Sequence, residues 1–188
     1  MCARPSSHRV AAAVAGCLFA TLAAVAPSVA EPVRLAQAAP STLPGGATSL
    51  NETYEDWSVV CVQQPAGKRC VLAQTQTQNG QRALTVELDP PKDGSVSGVL
   101  LLPLGLALAA GVMLQVDDGK AGGPLAFRTC LPAGCLVPLS FDAATVGALR
   151  KGKALKLEAR ADGGQAIRLT IPLRGFSNAL DRVAALAG

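Results

Sequence analysis

The sequence predicts a mainly all-β fold, an antiparallel β-sandwich with a short helix near residues 142–151 and a short C-terminal helix. Short segments of alternating apolar and polar residues are separated by turn signals rich in Gly, Pro, Asn and Asp. Helical patterns occur only near the end of the chain. Strands at this spacing, without long helices between them, are typical of antiparallel sandwiches and barrels.

The first 30 residues have the pattern of an export signal. Basic residues without acids precede an apolar run over residues 10–26, and Ser28-Val29-Ala30 forms a small-x-small cleavage motif. We therefore expect a signal peptide over residues 1–30, cleaved after Ala30. One alternative is an uncleaved membrane anchor, although the run is short and dominated by Ala. Another is lipoprotein processing at Val14-Ala15-Gly16-Cys17, which would leave an acylated Cys17.

Removal of this signal would leave a nearly balanced charge. Two arginines are lost with it, so 15 basic residues face 13 acids, a composition that argues against nucleic-acid binding. Residues 31–53 are rich in Ala, Pro, Ser, Thr and Gly and predict a flexible tether. One domain is then expected over residues 54–188, periplasmic or at the cell surface and not integral to a membrane.

Two hairpins carry the strongest local signals. Residues 69–89 alternate on either side of Asn79-Gly80, a pair suited to a two-residue turn. Residues 154–160 and 167–174 flank Asp162-Gly163-Gly164 in the same way. The two helices are predicted over residues 142–151, capped by Ser140 or Asp142, and over residues 177–186, capped by Ser177.

Residues 98–116 form a stretch of 19 residues without a charge. Their length would suit a transmembrane helix, but Pro103, Gly105 and Gly111 would disturb it. A pair of buried strands joined around Pro103-Leu104-Gly105 explains the same residues, because a strand covered on both faces also reads as a continuous apolar run. We predict the buried strands.

Four cysteines follow the predicted signal, in two close pairs, Cys61 with Cys70 and Cys130 with Cys135. After export we expect both pairs to be disulfides. Neither spacing matches the Cys-x-x-Cys redox motif, and eight residues between Cys61 and Cys70 are too many for a zinc knuckle. Four cysteines allow three connectivities, of which the local one is predicted.

Catalytic groups are scarce. The only histidine is His8, within the signal, which excludes Ser-His and Cys-His arrangements from the exported domain. The sequence therefore predicts a non-enzymatic protein without catalytic residues, metal or cofactor. The alternative is a periplasmic hydrolase that uses carboxylates scattered through the fold.

Basic residues cluster between residues 150 and 174. Lys156, Glu158 and Arg160 would share one face of a strand, so a basic patch for an anionic glycan, a lipid head group or an acidic protein is one reading. An ordinary solvent-exposed sheet face is the other. The residues of the candidate patch are Arg150, Lys151, Lys153, Lys156 and Arg160.

Five sequence elements, in order and spacing, resemble the invasion-associated locus B family. They are Trp57-Ser58-Val59-Val60-Cys61 followed by Cys70, Leu102-Pro103-Leu104-Gly105-Leu106, Gly111-Val112-Met113-Leu114-Gln115-Val116-Asp117, Cys130 with Gly134-Cys135, and Gly175-Phe176-Ser177. The resemblance covers about residues 54–180. It implies an exported β-sandwich protein of Gram-negative bacteria with no established chemistry. A binding module at the envelope or host surface is the expected function.

Overall fold

A computed structural model of the chain describes residues 42–187. The predicted signal peptide, the alternative lipidation site at Cys17 and the first part of the predicted tether lie outside these residues. The strands are β1 (Ser49–Tyr54), β2 (Trp57–Gln64), β3 (Gly67–Gln78), β4 (Gln81–Leu88), β5 (Val96–Leu102), β6 (Met113–Val116), β7 (Thr129–Leu131), β8 (Gly134–Phe141), β9 (Ala154–Arg160) and β10 (Ala166–Pro172). The helices are α1 (Ala143–Lys151) and α2 (Phe176–Ala187).

The strands form two antiparallel sheets around one core. The larger sheet has seven strands in the order β1-β2-β3-β4-β5-β8-β7, and the smaller has three in the order β10-β9-β6. Leu72, Leu84 and Leu100 of the larger sheet share the core with Leu157 and Ile171 of the smaller. The predicted all-β fold with two short helices is confirmed.

Both predicted hairpins are present. In the β3–β4 hairpin Asn79 and Gly80 have φ values of 52° and 74°, the left-handed conformation that a two-residue turn requires. In the β9–β10 hairpin Leu157 lies opposite Leu169, and Leu155 lies opposite Ile171. Alternation along β9 buries Leu155, Leu157 and Ala159.

The folded region begins earlier than the sequence predicts. Leu43 is only 3% exposed, and β1 pairs with β2 along its whole length. The predicted tether over residues 31–53 is therefore wrong for its last part. The alternation of β1 is hard to recognise because Glu52 occupies an inward-facing position between Leu50 and Tyr54, where a charge is unusual in a strand face.

Residues 98–116 contain two strands, but these do not pair with each other. Strand β5 is flanked on both sides by β4 and β8, so it has no free edge for β6, which joins β9 in the other sheet. The prediction of one buried pair is wrong on this point, since residues 103–112 cross between the sheets. Among residues 42–187, no helix combines the length and apolar character needed to span a bilayer.

The helix ends agree with the prediction at one helix only. Asp142 caps α1, where its Oδ1 accepts a hydrogen bond of 2.7 Å from the backbone N–H of Thr145. Helix α2 starts at Phe176, one residue before the predicted cap, because Gly175 turns the chain with φ 80°. Ser177 lies inside the first turn, and its hydroxyl accepts a hydrogen bond from Arg150.

Side chains of the larger sheet hold the edge of the smaller one. The carbonyl of Pro172 in β10 accepts hydrogen bonds from Trp57 Nε1 at 3.0 Å and from buried Gln74 Nε2 at 3.2 Å. Gln76 Nε2 donates to the Thr170 carbonyl at 2.9 Å. These side-chain N–H groups donate to carbonyls that a neighbouring strand would otherwise bind. Phe176, at the start of α2, packs edge-to-face on Trp57, with ring centroids 5.1 Å apart.

Candidate binding surface

Both cysteine pairs are disulfide-bonded, and each bond joins residues that lie directly opposite on adjacent strands. Cys61 faces Cys70 in β2 and β3, and Cys130 faces Cys135 in β7 and β8. The structure therefore pairs the same cysteines as the sequence analysis. The sulfurs are committed to structural bonds and are not thiols available for chemistry.

The outer face of the small sheet carries the central residues of the predicted basic patch. Lys156, Glu158 and Arg160 project from the side of β9 opposite its buried residues, as the strand alternation predicts. Arg168 and Thr170 of β10 share this face, because Arg168 lies opposite Glu158 and Thr170 opposite Lys156.

Much of the positive charge on this face is neutralised. Lys156 Nζ lies 2.7 Å from Asp118 Oδ1, and Arg168 Nε lies 3.3 Å from Glu158 Oε2. The hydrogen bond from Lys156 lowers the pKa of Asp118, so that carboxylate stays ionised and paired. A cleft of about 270 Å³ on this face is lined by both ions of the Glu158–Arg168 pair and by Met113. The face is therefore of mixed character and not cationic.

The other predicted patch residues do not form one surface. Arg150 is bound between the helices, with Nη2 2.7 Å from Asp181 Oδ1 and Nη1 2.9 Å from Ser177 Oγ. Arg160 ends β9, six residues after Ala154, which corresponds to about 20 Å of strand. Its Nη1 donates to the Gly164 carbonyl. Lys151 and Lys153 lie at the other end, where α1 leads into β9.

A third lysine, Lys120, lies at that end. A cleft of about 500 Å³ lies between α1 and the loop that follows β6, and we call it the lysine cleft. Its lining residues are Val116, Asp117, Gly119, Lys120, Ala144, Thr145, Ala148, Lys151 and Gly152. Sequence reasoning missed Lys120 because it precedes Lys151 by 31 residues, and only the pairing of β6 with β9 brings the two segments together.

The one acid of the lysine cleft is used by the backbone. Asp117 Oδ1 accepts hydrogen bonds from the N–H groups of Lys153 at 3.0 Å and Ala154 at 2.9 Å. Its own N–H donates to the Ala154 carbonyl. Within residues 42–187, no carboxylate lies within 4.0 Å of the ammonium groups of Lys120, Lys151 or Lys153. The cleft thus presents two ammonium groups without an ion-pair partner, against the single carboxylate of Asp117.

Half of the twelve carboxylates among residues 42–187 serve as ion-pair partners. Six are engaged with Lys or Arg side chains, namely Glu52, Asp56, Asp89, Asp118, Glu158 and Asp181. Five surface clefts within residues 42–187 hold at most one carboxylate apiece. In the same residues no group of three His, Cys, Asp or Glu side chains is arranged to hold a metal ion.

Known proteins resemble this chain over most of its length. The family model for the invasion associated locus B (IalB) protein matches residues 57–184. An invasion protein B homolog of Brucella abortus (strain 2308) is 49% identical over 149 residues, which are 78% of this chain and 86% of that protein. Invasion protein B of Bartonella bacilliformis is 43% identical over 165 residues, which are 84% of this chain and 88% of that protein.

A solved structure agrees with the fold. The crystal structure of invasion associated protein B from Bartonella henselae superposes with a TM-score of 0.69 and 41% sequence identity. The match covers 74% of this chain and 97% of that protein. Two of the five motifs that carry the sequence resemblance also meet in space, since Trp57 packs on Phe176 beside Gly175. The chain therefore belongs to the invasion-associated locus B family.

Proposed function

We propose that this protein is an exported, non-enzymatic binding protein of the cell envelope, which holds an anionic group of its partner in the lysine cleft. The observation that carries the proposal is the unpaired state of Lys120 and Lys151. Arg150, Lys156 and Arg168 are paired with acids, whereas Lys120 and Lys151 share a cleft whose one acid is bound to backbone N–H groups.

Two disulfides support an extracytoplasmic location. Such bonds persist in the periplasm and at cell surfaces and are rare in the cytosol. The relatives from Bartonella and Brucella are named as invasion proteins. We extend that role to this chain as a proposal, with a partner on a host cell or in the envelope.

The chemistry of the carboxylates supports binding over catalysis. A general acid needs a raised pKa, but the pKa shifts found for Glu52, Asp118 and Asp142 are all downward, caused mainly by hydrogen bonds from Arg182, Lys156 and Thr145. Their ion pairs and hydrogen bonds give these acids a role in holding the fold together.

Two ammonium groups on either side of a cleft suit a carboxylate, sulfate or phosphate group. A partner rich in such groups, such as an acidic glycan or an acidic protein segment, would gain contacts at the cleft and would be attracted at long range. Since the cleft is open to solvent, binding should weaken steeply as salt rises.

Heparin, a sulfated glycan, is a suitable probe. We expect the K120E/K151E variant to bind it at least tenfold more weakly than the unmodified protein in fluorescence titrations. The control is R69E/K92E, which reverses two charges on the larger sheet and its adjoining loop and should bind as the unmodified protein does. Equal loss in both variants would show a general charge effect, and no loss in K120E/K151E would contradict the proposed site.

A further inference from the structure

The crossing between the two sheets leaves large apolar side chains in solvent. Leu104 is 58% exposed and Leu108 is 47% exposed, although both belong to the charge-free stretch of residues 98–116. Leu131, the last residue of β7 before the turn into β8, is 50% exposed. Soluble proteins expose single leucines often, but a group of them at one place usually marks an interaction site.

Strand register places these leucines at one end of the molecule. Leu102, the last residue of β5, lies opposite Cys135 near the start of β8, and Leu131 lies opposite Gly134. The loop that leaves β5 and the β7–β8 turn therefore emerge side by side. Leu108 lines a cleft of about 350 Å³ with Phe127 and Thr129, just before β7. We call Leu104, Leu108 and Leu131 the leucine end.

Small uncharged residues surround the three leucines. The chain between β5 and β6 contains Pro, Gly, Ala, Leu and Val only, and the β7–β8 turn adds Pro132 and Ala133. Six of these small residues are also exposed, namely Pro103, Gly105, Ala109, Ala110, Pro132 and Ala133. The leucine end is thus a set of apolar loop tips and not a strand face or an enclosed groove.

Three arginines border the leucine end. The Arg82 guanidinium donates to the Ala133 carbonyl in the β7–β8 turn, and Arg128 lines the cleft beside Leu108. The Arg160 carbonyl accepts a hydrogen bond from the Ala107 N–H in the crossing loop. Asp162 is the acid at this end, and its N–H donates to the Gly105 carbonyl.

None of these arginines is neutralised by a neighbouring acid. Within residues 42–187, no carboxylate lies within 4.0 Å of the guanidinium groups of Arg82, Arg128 or Arg160. Three positive charges against one negative charge give the border an excess of two. Apolar tips that enter the acyl boundary, with cations at head-group level, are the arrangement by which proteins bind anionic membranes peripherally.

We propose that the leucine end docks on the surface of an anionic lipid bilayer. Leu104, Leu108 and Leu131 enter the interface, and the three arginines contact lipid phosphates. The lysine cleft lies at the opposite end of β9, since that strand begins at Ala154, directly after Lys153, and ends at Arg160 about 20 Å away. Docking through the leucine end therefore leaves the lysine cleft free to bind a partner away from the bilayer.

Vesicle flotation tests this proposal. The protein purified from its producing cells should float with vesicles that contain phosphatidylglycerol and phosphatidylcholine in equal parts, and much less with phosphatidylcholine alone. We expect L104E/L108E, purified in the same way, to lose at least tenfold in affinity for the anionic vesicles. The matched control is V62E/Q64E, which also adds two negative charges, because Val62 and Gln64 are exposed and lie in β2 next to the β2–β3 turn, away from the leucine end; it should bind as the unmodified protein does.

A labelled variant shows which surface meets the lipid. An environment-sensitive fluorophore on L108C should shift its emission to shorter wavelength with anionic vesicles, whereas the same label on V62C should not. Unchanged flotation of L104E/L108E would overturn the proposal, as would self-association through the leucine end without vesicle binding. Heparin binding should be intact in L104E/L108E. The outcome of the vesicle test therefore does not depend on whether the lysine cleft binds an anionic partner.

Discussion

The two disulfide hairpins of this protein use the same covalent connection in different surroundings. In the central hairpin, β2–β3, Cys61 and Cys70 are both buried, and α2 covers them so closely that Cys70 Sγ lies 4.0 Å from the Leu186 carbonyl. In the edge hairpin, β7–β8, Cys130 is half-buried and β7 has only three residues. The central bond belongs to the core, whereas the edge bond holds a turn that projects Leu131 into solvent.

This difference predicts that a disulfide stabilises the fold through its surroundings as well as through the loop that it closes. Counting the cysteines themselves, Cys61 and Cys70 close a loop of ten residues, and Cys130 and Cys135 close a loop of six. The chain-entropy model gives about 2.7 kcal/mol for the first loop and about 2.2 kcal/mol for the second. Loop length alone would make the two bonds nearly equal. Only the central bond also fills a closed core, where lost volume leaves a cavity.

Removal of each disulfide should produce the largest loss of stability, and the two losses together separate the contribution of loop entropy from that of core packing. We expect C61A/C70A to lower the free energy of unfolding by about 4 kcal/mol, from loop entropy and from lost packing beneath α2. C130A/C135A should lower it by about 2 kcal/mol. Urea titrations followed by circular dichroism give both values, and equal losses would show that burial adds nothing to the central bond.

Two glycines extend the comparison to the backbone. Gly175 has φ 80° and a Cβ there would collide with the Tyr54 carbonyl, so G175A should push α2 away from the β1–β2 turn. Gly134 has φ 137° and a Cβ there would collide with the Leu102 carbonyl, but this residue lies in the edge hairpin. We expect losses of about 3 kcal/mol for G175A and about 2 kcal/mol for G134A.

Circular dichroism in the near-ultraviolet range separates the two glycine variants further. The chain has one tryptophan, Trp57, which packs on Phe176 immediately after Gly175. G175A should therefore change the aromatic signal, whereas G134A should leave it unchanged. A larger stability loss in G134A than in G175A would show that the edge hairpin is less able to relax than its position suggests.

The parts of the fold that sequence predicted are those with local signals. Asn79-Gly80 specified the β3–β4 hairpin because positive φ at two successive positions is a property of those residues themselves. Alternation specified β9 and β10, and with them the shared outer face of Lys156, Glu158 and Arg160. The cysteine pairs were predictable because each closes a short loop within one hairpin.

The missed features depend on contacts between distant segments. The composition of residues 31–53 predicts a tether, whereas β1 includes an inward-facing Glu52 whose partner, Arg182, lies 130 residues away. The basic patch was counted along the sequence, whereas Asp118 neutralises Lys156 across the β6–β9 pairing. The lysine cleft needs Lys120 and Lys151 from opposite sides of that pairing. No periodicity within one segment carries such information.

The Glu52–Arg182 ion pair should have the smallest effect and shows what electrostatics adds to the central region. Arg182 Nε and Nη2 each lie 2.7 Å from a Glu52 carboxylate oxygen, joining α2 to β1, and Tyr54 donates a further hydrogen bond. The hydrogen bond from Arg182 is the main cause that lowers the pKa of Glu52 below its ordinary value of 4.5. A lowered folded-state pKa stabilises the protein above pH 4.5, and the contribution is lost as pH falls through the folded-state value.

We therefore expect E52Q to lower the free energy of unfolding by less than about 1 kcal/mol at pH 7, since both side chains are partly exposed. The difference from the unmodified protein should shrink as pH falls below 4.5, because protonated Glu52 resembles Gln. The edge hairpin, β7–β8, provides the control for this pH dependence, because residues 129–141 contain no charged side chain. The loss in C130A/C135A should accordingly be constant between pH 3 and 7. If the E52Q loss is equally constant, Glu52 acts through packing and neutral hydrogen bonds, and the central region owes its stability to burial alone.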